Sequence, residues 1–264
     1  MARFLPKKRQ IFIGIDQTGA VLSSGKPKPL EAIVLADGKL TPIRLPSLTA
    51  SSLLQTLRWE IIPPTLTIIA DCVLGLPEGV RPTFVNALSA AGDHPGFGRK
   101  SAQQFFSGFK KQEALPRRAV EVLCKANSVF QTHPFQKNIQ TGTFRIWKDL
   151  ASEPNWFYLP ILGLGNRKFG TPIFEGYPTF SWKKLFPVTH REPSRLPELI
   201  KEHFPEIKLS ETVACRLSRN ANLADATVLA LSGWRWLGAR KPLIPRHTKA
   251  RAEGWILGAG VDEG

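Results

Sequence analysis

Two short apolar segments, each ended by an aspartate, constrain the fold more than any other feature of this sequence. Residues 11–15 read Ile-Phe-Ile-Gly-Ile and precede Asp16, while residues 66–70 read Leu-Thr-Ile-Ile-Ala and precede Asp71. A short run of this kind is typical of a strand that is buried on both faces of its sheet. Such strands need helices on both faces, so the sequence predicts an α/β fold.

The residues between these two segments predict an antiparallel meander followed by a helix. Residues 30–35 and 40–45 have the composition of strands, and Asp37-Gly38 between them is a strong hairpin signal. Leucines at helical spacing in residues 53–61 then predict an amphipathic helix. We therefore expect a mixed sheet, with a three-stranded antiparallel part followed by parallel strands.

Asp16 and Asp71 are the first candidates for a functional site. If the strand at 66–70 lies parallel to the strand at 11–15, both aspartates emerge at the same edge of the sheet. Two neighbouring carboxylates repel each other unless a cation or a proton lies between them. Oxygen ligands of this kind suit Mg²⁺ or Mn²⁺. Taken singly, each aspartate could instead serve to form a turn.

Asp225 and Glu175 extend this candidate set. Asp225 lies in the apolar segment 223–231, where an unpaired carboxylate would be costly, so it needs a cation or a hydrogen-bond donor. An ion pair with an arginine such as Arg219 is the alternative to a metal ion. Glu175 follows a short strand-like run and precedes Gly-Tyr-Pro, and it could instead be a solvated acid or a helix cap.

The charge distribution indicates a polyanionic partner. The chain has 36 basic and 21 acidic residues, a net charge of +15, and residues 98–148 alone contribute +8. Such an excess favours nucleic acid, although a charged run can also be a solvated face, and its interleaved phenylalanines can belong to the core. The candidate contacts to the phosphate backbone are Arg99, Lys100, Lys110, Lys111, Arg117, Arg118, Lys137 and Arg145.

Other classes of protein find little support in the sequence. The segment that follows the basic residues 3–9 is too short for a secretory signal, and no stretch has the length and apolarity of a membrane span. The three cysteines are scattered, and no histidine has the spacing of a zinc site. We expect a soluble, cytoplasmic protein with reduced cysteines.

Several short motifs recur here in the order found in one known family. They are Gly14-Ile-Asp16, Asp71 followed by Leu74-Gly-Leu-Pro77, Glu175-Gly-Tyr-Pro178, Asp225-Ala226 and Glu253-Gly-Trp-Ile256. In this order they resemble the predicted RNase H-like nucleases classed as domain of unknown function four-two-nine. The resemblance spans nearly the whole chain. It implies one RNase H-like domain over residues 1–264. The segment between Asp71 and Glu175 is longer than in the family pattern, and the helical pattern and basic charge of residues 80–170 predict a basic helical insertion there.

The resemblance also implies a function and a site. The activity would be metal-dependent hydrolysis of phosphodiester bonds in DNA or RNA, with Asp16, Asp71, Glu175 and Asp225 holding two Mg²⁺ or Mn²⁺ ions. One ion would activate the attacking water and the other would stabilise the leaving oxygen. Two alternatives remain open: a non-catalytic nucleic-acid-binding module, and an ATP-dependent phosphotransferase of the sugar-kinase and actin type, whose first phosphate loop Asp16-Gln-Thr-Gly19 resembles.

Overall fold

Six strands form one mixed sheet at the centre of the structure, a computed structural model. The structure describes residues 10–17, 22, 24, 26–111, 117–130, 138–168, 170–238 and 249–260. The strands are β1 (Ile11–Asp16), β2 (Leu30–Ala36), β3 (Lys39–Leu45), β4 (Leu66–Asp71), β5 (Phe157–Tyr158) and β6 (Thr171–Gly176). Their order across the sheet is β3-β2-β1-β4-β6-β5.

Helices cover both faces of this sheet. They are α1 (Ala50–Leu57), α2 (Phe84–Asp93), α3 (Gly98–Ser107), α4 (Ala119–Cys124), α5 (Asn138–Ser152), α6 (Pro178–Leu185), α7 (Leu196–His203), α8 (Glu211–Arg219), α9 (Ala221–Ser232) and α10 (Ala250–Glu253). A 3₁₀ turn at Pro193–Arg195 precedes α7, and a π-helical turn at Gly233–Leu237 follows α9. Within the described residues, no helix is long and apolar enough to cross a membrane.

The sheet confirms the predicted mixture of antiparallel and parallel strands. β1, β2 and β3 pair antiparallel, while β1, β4, β6 and β5 pair parallel. Asp37 and Gly38 both have positive φ, 49° and 70°, as a two-residue turn of type I′ requires. The hairpin between β2 and β3 is therefore formed by the two residues that the sequence singles out.

The alternation of side chains along β1 and β4 separates two hydrophobic clusters. Phe12 and Ile69 pack with Val228 of α9, on what we call the α9 face of the sheet. Ile13 and Ile68 belong to the opposite cluster, which contains Phe144 and Trp147 of α5, and we call this side the α5 face. The helices of residues 80–170 therefore share a core with the sheet.

The sequence predicts a continuous helix over residues 217–237, but the structure interrupts this helix at Asn220. α8 ends at Arg219, and Asn220 adopts an extended conformation with φ −126° and ψ 100°. Its side-chain oxygen accepts a hydrogen bond from the Leu223 amide at 3.1 Å and so caps α9. The break lets α9 lie on the sheet in a direction of its own, independent of α8.

Candidate functional site

Asp16 and Asp71 end two adjacent parallel strands at the same level. Ile15 of β1 is the register partner of Ala70 of β4, so the two aspartates that follow them are neighbours. Asp16 lies four residues after Phe12 in β1, and Asp71 lies two residues after Ile69 in β4. Phe12 and Ile69 both belong to the cluster on the α9 face. Because strand side chains alternate, both carboxylates lie on the α9 face. The expected meeting of these two acids at one edge is confirmed.

A close approach of α9 to β1 brings Asp225 to the same place. A Cβ atom at Gly14 would lie 1.9 Å from the Ala226 carbonyl oxygen and 2.5 Å from the Ala230 amide nitrogen. Only glycine leaves room for the backbone of α9 at this point. Asp225 precedes Ala226, and its charge raises the pKa of both Asp16 and Asp71, which places it beside them.

The Asp16 and Asp71 carboxyls are hydrogen-bonded to each other. Burial is the largest cause that raises the pKa of each carboxyl, and the charges of the neighbouring carboxylates raise it further. The shared hydrogen bond raises the pKa of Asp16 and lowers that of Asp71, so Asp16 is the member of the pair that keeps a proton more readily. The pair therefore limits its repulsion by sharing one proton.

Asp225 has a different set of partners. Trp182 of α6 donates its indole N–H to Oδ1 at 2.8 Å, and Arg191 donates from Nη1 to Oδ2 at 2.5 Å. Burial raises the pKa of Asp225, while Arg191 and Trp182 oppose the shift. The sequence correctly indicated that this carboxylate needs a partner, but the partner is Arg191 rather than Arg219. No local pattern around Arg191 or Trp182 marks either residue, because both reach Asp225 through tertiary packing.

Glu175 lies on the opposite face of the sheet from the three aspartates. In the β4–β6 register, Glu175 is level with Ala70, a residue of the α5 face, and Gly176 is level with Asp71. A Cβ atom at Gly176 would contact Leu229, which confirms that Gly176 is the residue of β6 that faces α9. The prediction that Glu175 joins the other acids is therefore wrong by one position along the strand.

Arg118 binds the Glu175 carboxylate through both oxygens. Its Nη2 lies 2.5 Å from Oε1 and its Nη1 lies 2.7 Å from Oε2, which also accepts a hydrogen bond from the Leu74 amide. The Nε atom of Arg118 donates to Glu121 at 2.8 Å. Burial by itself lowers the pKa of Arg118, but Glu175 and Glu121 outweigh it and raise that pKa. Glu175 is thus held in an ion pair with Arg118 in this structure, and its role as a metal ligand stays a prediction.

The C-terminal motif completes this buried network. The carboxylate of Glu253 accepts hydrogen bonds from the amides of Glu78 and Ala119, at 3.1 and 2.7 Å. Ile256 forms a parallel bridge with Glu175, so this segment lies against β6. The Glu-Gly-Trp-Ile motif is therefore bound to β6 and to the buried network around Arg118.

The predicted phosphate contacts fall into two groups. Arg118 is 1 % exposed, and Arg145 is also buried, where its guanidinium donates to the carbonyls of Lys28 and Pro46. These two guanidinium groups are bound inside the protein, so the prediction that Arg118 and Arg145 contact a phosphate backbone is wrong. Both arginines have structural roles instead. The exposed candidates are Arg99, Lys100, Lys110, Lys111 and Arg117. Lys137 lies outside the described residues.

The three aspartates suit a hard divalent cation by the chemistry of their donors. All three offer carboxylate oxygens, the ligands that Mg²⁺ and Mn²⁺ prefer, and two of them compete for one proton. In the described part of the chain, however, no three acidic, histidine or cysteine side chains converge on one point as metal ligands. The Arg191 guanidinium holds the Asp225 oxygen in the present arrangement.

The chain matches none of the protein-family models, curated proteins or solved structures with which we compared it. The resemblance to the RNase H-like family therefore stays a prediction from the motifs. Residues 18–20, which include part of the loop that resembles a phosphotransferase, lie outside the described residues.

Proposed function

We propose that the protein is a metal-dependent nuclease with an RNase H-like fold. The observation that supports this most directly is the cluster of Asp16, Asp71 and Asp225 on the α9 face, at the carboxyl ends of two adjacent parallel strands. The sheet order, an antiparallel meander followed by parallel strands, agrees with such a fold. The crevice beyond the carboxyl ends of parallel strands is where α/β proteins commonly bind ligands.

The cluster would hold the divalent cation through its three carboxylates, without Glu175. An ion bound there would supply Lewis-acid activation of water and stabilisation of the leaving oxygen. The residues themselves supply ligands and a proton-sharing pair, and the exposed bases of residues 99–117 supply positive charge for a phosphate backbone. This division of roles needs no histidine or serine nucleophile.

A cleavage assay on labelled DNA, RNA, hybrid and branched substrates tests the proposal. We expect cutting with Mn²⁺ or Mg²⁺ and none with EDTA, and we expect Asp16→Asn to lower the rate by at least a hundredfold. Asp93→Asn serves as the matched control, because Asp93 is an exposed aspartate of α2 outside the cluster. Equal activity of Asp16→Asn and wild type, or cutting that persists in EDTA, would contradict the proposal.

A second function, binding of nucleic acid without cleavage, is favoured by one specific observation. Arg118 and Arg191 already neutralise Glu175 and Asp225 in this structure, so the acids can serve the fold without a metal ion. This alternative predicts binding that is equally tight in Mn²⁺ and in EDTA, with no product from any substrate. Metal-dependent cleavage that is lost in Asp16→Asn would reject it.

A further inference from the structure

Arg191 is the cation that the structure places at the three aspartates. Its Nη1 lies 2.5 Å from the Oδ2 atom of Asp225. Its charge also lowers the pKa of Asp16, Asp71 and Asp225 alike, so its field reaches the whole cluster. In this arrangement one guanidinium lies beside a cluster of three carboxyl groups.

The guanidinium reaches the cluster from the solvent side. Arg191 follows the exposed residues Thr189 and His190 on the segment that joins α6 to the 3₁₀ turn, and 49 % of its side chain is exposed. Arg118 differs from Arg191 in its exposure, because its guanidinium is 1 % exposed and is bound to two carboxylates. Arg191 can therefore leave its carboxylate for water, whereas Arg118 cannot do so without leaving charges buried.

Both oxygens of Asp225 are engaged in the present arrangement. Trp182 donates to Oδ1 and Arg191 donates to Oδ2. A divalent cation that uses Asp225 together with Asp16 and Asp71 would replace the contact to the half-exposed Arg191, since the Trp182 indole is fully buried.

We propose that Arg191 is an internal counter-cation of the Asp16–Asp71–Asp225 cluster, and that a divalent cation binds the cluster only by displacing it. This inference rests on the metal site of the proposed function, but it does not require that the protein cleave nucleic acid. Arg191 then sets the metal concentration at which the site fills, and it keeps the cluster charge-compensated below that concentration.

Calorimetric titration of the metal-free protein with MnCl₂, at one pH and ionic strength and without nucleic acid, tests the inference. We expect Arg191→Gln to bind Mn²⁺ about tenfold more tightly than wild type, which corresponds to about 1.4 kcal/mol. Asp225→Asn should bind at least tenfold more weakly than wild type. Arg195→Gln is the matched control. Arg195 lies four residues after Arg191 and pairs with Glu192 instead of the cluster, so the affinity of this variant should equal that of wild type.

Equal or weaker Mn²⁺ binding by Arg191→Gln would overturn the inference, as would the absence of Mn²⁺ binding by both proteins at millimolar concentration. Tighter binding by Arg191→Gln without cleavage of any substrate would reject the nuclease and leave the counter-cation in place. The two failures are therefore distinguishable.

A second measurement tests displacement in the wild-type protein itself, so the result does not depend on the metal affinity of a variant. In a ¹⁵N-arginine NMR spectrum, the Nε–H signal of Arg191 should move on titration with MgCl₂, at the concentration where Mg²⁺ binds. Loss of that signal in Arg191→Lys assigns it. A signal that stays at its metal-free position when the site is saturated would overturn displacement.

Discussion

At the scale of single residues, the structure divides four acidic side chains into two kinds. Asp16 and Asp71 share a hydrogen bond, and Asp225 beside them pairs with the half-exposed Arg191. Glu175 is instead bound to the buried Arg118 through both of its oxygens. Breaking a buried ion pair is expensive because the remaining charge stays without a partner. Arg118 therefore contributes to stability, and its neighbour Arg117, which is exposed, does not share this role.

Replacing Arg118 should destabilise the fold far more than replacing the next arginine along the chain. We expect Arg118→Ala to lower the free energy of unfolding by about 3–5 kcal/mol, because Glu175 and Glu121 lose their buried counter-charge. Arg117→Ala should change it by less than about 0.5 kcal/mol. Urea denaturation of both variants measures the difference, and similar losses in the two would contradict the structural role of Arg118.

At the scale of elements, two acids of α5 hold the start of α1. Asp149 accepts a hydrogen bond from the Leu48 amide at 2.7 Å, and Glu153 accepts one from the Ala50 amide at 2.6 Å. Both amides lie at the N-terminus of α1, where backbone N–H groups lack helical partners. Burial raises the pKa of Asp149 to about 6, although the Leu48 amide and Arg145 oppose the shift. The contact between these helices therefore depends on pH.

Asp149 should make the protein less stable as the pH rises from about 4 to about 6. Its pKa is higher in the folded state than its ordinary 3.8, so the folded protein binds the proton more tightly, and that stabilisation is lost as the proton leaves. We expect the unfolding free energy of wild type to fall relative to Asp149→Asn by up to about 3 kcal/mol across this window. Asparagine keeps the acceptor for Leu48. Denaturation of both proteins at pH 4 and pH 7 measures this difference, and a constant difference would contradict the prediction.

At the scale of the whole molecule, the sheet separates structural charges from candidate functional ones. Glu175 lies on the α5 face, where it joins the buried network of Arg118, Glu121 and Glu253, and the α9 face carries the three aspartates. Neither of these two groups of acids accounts for the net charge of +15, which comes from an excess of basic residues. Five of the eight predicted phosphate contacts are exposed in the described part of the chain. The prediction of nucleic-acid binding therefore depends on these five residues.

Removing the five exposed bases should weaken binding to duplex DNA in EDTA and reduce its salt dependence. Each phosphate contact contributes a slope of about 0.9 in a plot of log affinity against log salt concentration, so losing all five should reduce the slope by about 4.5. The variant replaces Arg99, Lys100, Lys110, Lys111 and Arg117 by glutamine. The control replaces five other exposed bases, Lys183, Lys201, Lys208, Arg216 and Arg219. Fluorescence anisotropy across salt concentrations measures both, and equal slopes would contradict a specific basic surface.

Much of the fold and part of the site are predictable from local patterns. The strands, the Asp37-Gly38 turn and the position of Asp16 and Asp71 at one edge follow from alternation, turn chemistry and the direction of adjacent strands. The need of Asp225 for a partner follows from its apolar surroundings. The break at Asn220 is not predicted from the sequence, because neither proline nor glycine interrupts residues 217–232.

The sequence by itself determined which segments become strands and helices, and that two acids end the first and fourth strands, because these properties depend on residues close along the chain. Only the tertiary structure decided that Glu175 is level with Ala70 and so faces away from Asp71. It also decided that Arg118 is buried and that Arg191 reaches Asp225. Register between strands and the partners of a charge are long-range properties, set by packing between segments that lie far apart in the sequence.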